Sequence, residues 1–268
     1  MTKIDIAEQD IYYIEKGSGP AMLIFPDNLH SSEAYAKELD HFSDQFHVLS
    51  YDYPGKGKST RDVKYLDELE YDLWNYWADF ACHLLMELGI AECCVMGSGF
   101  GALAALHFAG KQAALHRITP TCVIADSFLS DLKPRTLHRA LDVREHFYVR
   151  NAKSLEEQHG DDWRDVVDAD TALLRQLADR GGYKVHDFVL NAIPCPVLLT
   201  GSLQNVLMPG IAQDFARLSG IIPDCSLYLT STADHPYGEE HPLMWTDRES
   251  FRAVCDMFLS SKLSPKKD

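Results

Sequence analysis

The chain has 268 residues, 46% of them apolar, enough for one large α/β domain with a sizeable core, alone or with an insertion. Its formal net charge of −15 argues against nucleic acid or an anionic membrane as a partner and fits an acidic, soluble surface. No run of about 18 apolar residues offers a membrane span, and the opening MTKIDIAEQD lacks the apolar stretch of a secretory signal, so a cytoplasmic location is expected.

Alternation in Lys3–Ile6 and Ile11–Glu15 predicts two antiparallel strands ending at Gly17-Ser18-Gly19-Pro20. Ala21–Phe25 reads as a buried strand stopped by Pro26-Asp27-Asn28, and residues 31–42 as a helix capped by a serine. A strand at His47–Tyr51 enters the loop Asp52–Ser59, and a long amphipathic helix runs from about Leu66 to Leu88. Next come a strand at Cys93–Met96, a helix from about Phe100, and a strand at Thr121–Ala125 ending at Asp126. Residues 129–188 turn polar and helical, with amphipathic segments at Leu137–Tyr148 and Asp162–Leu177. A strand at Ile193–Gly201, a helix at 210–219, a strand at Ser226–Leu229 and a helix at about 247–261 complete the alternation. This order predicts a doubly wound, mostly parallel sheet covered on both faces. The core is expected over 1–128 and 189–262, the helical insertion over 129–188, and a flexible tail over 263–268. The seven cysteines (82, 93, 94, 122, 195, 225 and 255) are odd in number and contain no C-x-x-C pair, so buried free thiols are expected.

The stretch Gly97-Ser98-Gly99-Phe100-Gly101-Ala102 has two readings. As G-x-G-x-x-A between a strand and a helix it is a dinucleotide fingerprint, with Asp126 as a distant ribose-binding acid and an oxidoreductase as the implied activity. As G-x-(nucleophile)-x-G it is a sharp elbow whose apex has lost its side chain. The rest of the chain favours the elbow. Five features stand in order: Leu23–Asn28, Asp52-Tyr53-Pro54-Gly55-Lys56-Gly57-Lys58-Ser59, the elbow itself, Pro196–Pro209 and His241-Pro242-Leu243-Met244. In that order they resemble the alpha/beta-hydrolase superfamily, its esterase-like members in particular, over nearly the whole length.

The resemblance implies an alpha/beta-hydrolase fold with a helical lid, carboxylic-ester chemistry, and no cofactor or metal. It puts Gly99 at the nucleophile position and His241 at the catalytic histidine, with His235 as a competitor. The usual acid position is Asn205, which carries no charge; the position after the preceding core strand is Asp126, which could equally be a solvent-facing helix cap. Ser98, one residue before the apex, is either a substitute nucleophile or a structural hydroxyl. The amides of Phe100 and Asn28 are the implied oxyanion donors, with Asp27 replacing the glycine of a His-Gly loop. Within the insertion, Leu141, Phe147, Tyr148 and Trp163 are candidate pocket walls. Three functions follow. One is an esterase- or lactonase-like protein acting on, or binding, a small ester or carboxylate; another is a non-catalytic binding module. The third is a water-activating site with His241 as base and the space at Gly99 holding the water.

Overall fold

The computed structural model describes residues 2–61, 73–205, 207–231 and 242–263. Eight strands form one sheet: β1 (Thr2–Ile6), β2 (Gln9–Lys16), β3 (Ala21–Phe25), β4 (His47–Tyr51), β5 (Glu92–Ser98), β6 (Thr119–Asp126), β9 (Val197–Ser202) and β10 (Cys225–Thr230). Their spatial order is β1-β2-β4-β3-β5-β6-β9-β10. The first two joints, β1 to β2 and β2 to β4, are antiparallel, and all the others are parallel. From β3 the chain steps outward to β4 and then returns to β5 on the other side, so the winding reverses between β3 and β5. At such a switch point the loops at the carboxyl ends of the strands part and leave a crevice.

Strand periodicity divides the core. Leu23, Phe25, Cys93, Val95, Val123 and Ala125 point to one face. There they meet α2 (Leu73–Glu87), α3 (Phe100–His107) and α8 (Ile211–Ser219). Met22, Ile24, Cys94, Met96, Cys122 and Ile124 point to the other, against α1 (Ala36–Phe42) and α10 (Arg248–Leu263). Successive residues on a strand face opposite sides, so a central strand with helices on both sides must be apolar throughout. That requirement is why these strands read as unbroken apolar runs.

Three local expectations change. The turn Ser32–Tyr35 before α1 is a 3-10 helix, and Ser31 makes no side-chain cap; the Asp52 carboxylate accepts from the Ser32 amide at 2.6 Å instead. The helix expected from Leu66 is described from Leu73, the start of α2, and 62–72 lie outside the described residues. Cys94 and Cys122 are not free thiols. Parallel pairing of β5 and β6 puts them in direct register, and they form a disulfide.

Between β6 and β9 the chain forms α5 (Pro134–His159) and α6 (Trp163–Asp179), bracketed by the short antiparallel pair β7 (Asp131–Leu132) and β8 (Tyr183–Lys184) and followed by α7 (Asp187–Asn191). The charged composition that marked this segment is the solvated side of α5, which runs well beyond the predicted Tyr148. After β10, α9 (Leu243–Thr246) leads into α10, and the expected tail beyond Leu263 lies outside the described residues. No described helix is long and apolar enough to cross a membrane.

Alkylating the denatured protein without reductant should modify five cysteines, and all seven after reduction, as read by intact mass; seven in both samples would show that Cys94 and Cys122 are not joined.

Candidate active site

β5 ends at Ser98 and α3 begins at Phe100, so the whole reversal falls on Gly99, with φ 55° and ψ −121°. That positive φ is a conformation that side chains strain to adopt. The flanking glycines are required by backbone. A Cβ at Gly97 would collide with the Gly101 carbonyl, and one at Gly101 with the carbonyls of Phe25 and Pro26. At Gly99 the obstacle is different. A Cβ there would collide with the carboxylate of Asp27, a side chain.

Asp27 therefore occupies the place that an apex side chain would take. Its Oδ1 accepts from the Phe100 amide and from the Asn28 amide, each at 2.8 Å. The structure thus brings together the two amides named from the sequence as oxyanion donors, and the oxygen they hold belongs to the protein. The Phe100 amide opens α3, where a helix's unpaired N–H groups favour an anion. Burial pushes the Asp27 carboxyl above its ordinary range, and the Phe100 and Asn28 amides offset part of that rise. Asp27's own amide donates to the Tyr35 hydroxyl at 2.8 Å.

The loop carrying Asn28 is fixed from three sides. The Asn28 carbonyl accepts from the Lys56 ammonium, and its Nδ2 donates to Asp170 Oδ2 at 2.6 Å. Asp170, on α6, also pairs with Lys56 and, at 2.5 Å, with Arg144 of α5. All three charged side chains are at most 8% exposed. Burial alone would raise Asp170, but the charges of Lys56 and Arg144 outweigh it and hold the carboxyl below its ordinary range. Burial pulls the Lys56 ammonium down, against the attraction of Asp170. Beside them His159 accepts from the Gly57 amide through Nδ1 at 2.9 Å and lies 3.1 Å from the Leu29 carbonyl through Nε2. Those partners assign the neutral Nε2–H tautomer, and burial pulls its pKa to about 4.

Above the elbow lies a cavity of about 500 Å³, floored by Asp27, Asn28, Gly99 and Phe100 and walled mainly by α5. It opens at the switch point of the sheet, where a parallel α/β architecture puts its ligand site.

No family model matches the chain, and no curated protein does. Solved structures do. The enol-lactonase from Burkholderia xenovorans LB400 superposes with a TM-score of 0.69 at 17% identity, covering 97% of this chain and 100% of that one. E-2-(Acetamidomethylene)succinate hydrolase gives 0.68 at 20% identity, covering 98% of each chain. Proline iminopeptidase from Mycobacterium smegmatis gives 0.67 at 15%, covering 97% of this chain and 98% of that one. This chain has the alpha/beta-hydrolase fold.

In that fold the remaining candidates fall as follows. Ser98 is fully buried, and its hydroxyl lies 2.8 Å from that of Tyr35, so it is a structural hydroxyl and not a group facing the cavity. Asp126 is not a solvent-facing cap: it is fully buried. It accepts from Thr200 Oγ1 at 2.7 Å, Ser127 Oγ at 3.0 Å and the Met244 amide at 3.0 Å. Burial pushes its pKa to about 7, against those three donors. Ser127, held at φ 51°, takes the neighbouring Leu243 amide. Together they anchor the segment that follows His241, while His241 and His235 themselves lie outside the described residues. Asn205 caps its own turn, accepting from the Leu207 amide at 3.1 Å.

Of the four proposed walls, Phe147 lines the cavity. Leu141 packs instead on the main core, and Tyr148 and Trp163 belong to a small cluster between α5 and α6. Helical spacing gave the right helix but not which side of it faces the cavity. The space at Gly99, imagined as a berth for water, is filled by the Asp27 carboxylate. Lys56, Arg144 and Asp170 were not anticipated. Lys56 stands in the Asp52–Ser59 loop, yet nothing in the sequence links it to an aspartate 114 residues later.

Removing Asp170 leaves two buried cations without their counter-ion, so Asp170→Ala should cost about 3–5 kcal/mol in chemical denaturation. His159 gives a pH signature. Below pH 6.5 the unfolded chain takes up a proton that the folded His159 refuses until about pH 4. Stability should therefore fall as pH falls through that window, by roughly 3 kcal/mol in all. Asp126 acts in the opposite sense, losing stability as pH rises from about 4 to about 7. Urea denaturation of wild type against His159→Gln at pH 7 and 4.5 separates the two: the variant should lack the histidine's part of the slope.

Proposed function

We propose that this protein is a hydrolase-fold protein of esterase- or lactonase-like ancestry that takes a small ester-like or carboxylate ligand into its cavity without the covalent serine route. The observation that carries this reading is the Asp27 carboxylate. It holds the Phe100 and Asn28 amides and fills the position of the missing nucleophile side chain. A substrate carbonyl would have to displace a carboxylate to reach those donors, and it would then meet glycine, which cannot attack it. The helical insertion serves as the lid. Its apolar contributions, Leu132, Leu137 and Phe147, with Trp245 opposite, suit a small ligand rather than a polymer. The similarity to an enol-lactonase and to a hydrolase of a substituted succinate supports lactones and small carboxylic acids as the first classes to screen.

The same Asp27 weighs against the dinucleotide reading. A pyrophosphate at the start of α3 would face a carboxylate that already holds the first helical amide.

The wild-type protein should show no p-nitrophenyl acetate hydrolysis above buffer and no labelling by a fluorophosphonate probe. Gly99→Ser alone should stay silent, because its side chain meets Asp27. The double variant Asp27→Gly/Gly99→Ser frees both the amides and the apex and should gain probe labelling at residue 99. Labelling of any serine in the wild type would sink the proposal.

A further inference from the structure

The cavity uses the carboxyl ends of the strands. At the other end of the molecule, just before β6 begins, three metal-ligand side chains converge that nothing in the active-site account employs. Asp79 and His83 stand one turn apart on α2. The buried face of that helix, with Trp77, Ala78, Ala81 and Cys82, is committed to the core, so the two side chains project from its outer side. His116 follows α4 (Ala113–Leu115) in the connection to β6. Its backbone is well fixed: the His116 amide donates to Gln112 O at 3.1 Å, Ile118 donates to Ala113 O at 2.8 Å, and Arg117, at φ 59°, turns the chain into the strand.

One nitrogen of each histidine and one oxygen of the aspartate lie within 4.8 Å of one another. His116 Nε2 is 2.6 Å from Asp79 Oδ1, His83 Nε2 is 3.6 Å from Asp79 Oδ2, and the two imidazole rings meet edge to face at 4.8 Å between centroids. We propose that Asp79, His83 and His116 bind a divalent late transition-metal ion of the zinc class.

The donor set decides the class. Two imidazoles and one carboxylate suit zinc, cobalt or nickel, whereas calcium or magnesium would look for a shell of oxygens. Bonds of about 2.0–2.2 Å to a tetrahedral ion place its ligand atoms roughly 3.3 Å apart. His116 Nε2 lies nearer than that to one Asp79 oxygen and His83 Nε2 slightly farther from the other, with one ligand atom of each residue within 4.8 Å of the rest, so modest rotations of the two imidazoles close the set on an ion. Asp79 and His83 are 42% exposed and His116 19%, which leaves room for those side-chain rotations and an open side where water completes the coordination. Without an ion, the short contact between His116 Nε2 and Asp79 is a hydrogen bond donated by an Nε2–H. The ion takes the place of that proton, and the carboxylate cancels part of the ion's charge. Bound there, it ties α2 to the chain entering β6. The proposal is independent of the cavity and of its ligand.

The test is a titration of the metal-free full chain with Co²⁺, followed by visible d–d absorption, alongside calorimetric titration with Zn²⁺. One ion per chain is expected, with a low-coordinate cobalt spectrum. His83→Ala and His116→Ala should each weaken binding by about tenfold or more, as the loss even of an outer-shell partner does. His138→Ala, an exposed histidine on α5, should leave binding unchanged. Half-exposed His83 is the variant least able to disturb the fold, and its thermal melt is recorded on the same samples. Absence of saturable binding overturns the assignment, as does binding that persists in the His83→Ala/His116→Ala double variant.

Discussion

Asp27 Oδ1 lies 2.8 Å from two backbone amides, one opening α3 and one in the loop after β3, and the surroundings of the cavity floor are organised to keep that contact. A carboxylate taken partly out of water is costly unless donors replace its hydration. Here one donor, the Phe100 amide, is left unpaired by the fold in any case, because the first N–H groups of a helix have no partner within it, and the other is the Asn28 amide of the loop after β3. The arrangement solves two problems with one bond pair: the amides are satisfied and the anion is solvated by protein. Donors occupied in this way are not open to another negatively charged oxygen.

Asn28 can present its amide to Asp27 only if the loop holds still, and what holds it comes from distant parts of the chain. Lys56 from the β4 loop, Arg144 from α5 and Asp170 from α6 meet at Asn28, so the cavity's floor and its helical cover share one buried ion network. Lys56 and Arg144 bring two positive charges against one on Asp170. The Asp27 carboxyl feels both signs of this network: Asp170 pushes its pKa up and Arg144, to a smaller degree, pulls it down. His159 adds a neutral link between the Asp52–Ser59 loop and the end of α5. Buried ion networks are weak sources of net stability, because desolvation offsets the attraction. This one is better understood as fixing the position of α5 and α6 over the floor.

Much of this fold could be read from the sequence because its strongest constraints are local. The apolar runs at 21–25, 93–96 and 121–125 had to be strands covered on both faces, and the glycines at 97 and 101 had to accommodate backbone carbonyls. The resemblance to the alpha/beta-hydrolase superfamily named the Phe100 and Asn28 amides, one after the apex and one in the first loop, and backbone donors follow from the path of the chain whatever the side chains are. Side-chain outcomes were less legible. Asp27-Asn28 reads equally as an ordinary turn, and only three dimensions show the carboxylate folded back onto α3. The salt-bridged triad is built from residues between 26 and 114 positions apart, a kind of pairing that no local pattern records. The Cys94–Cys122 link was missed for a related reason: parity and spacing of cysteines say nothing about strand register, and register is what makes those two neighbours.

Positions 27 and 99 are best understood as a pair. With a side chain at 99, the Asp27 carboxylate could not lie where it does. With a smaller residue at 27, the two amides would lose the oxygen they hold and would stand open to another anion. Each residue is thus tolerable in the presence of the other, and the φ of 55° at the apex, a strain that an ordinary nucleophile would have to bear, is relieved by the glycine. Such mutual dependence predicts that substitutions at the two positions combine non-additively, as contacting groups in one network do. Asn205 fits the same account. Its side chain accepts from the Leu207 amide and so closes its own turn, a local role that an amide fills without a charge.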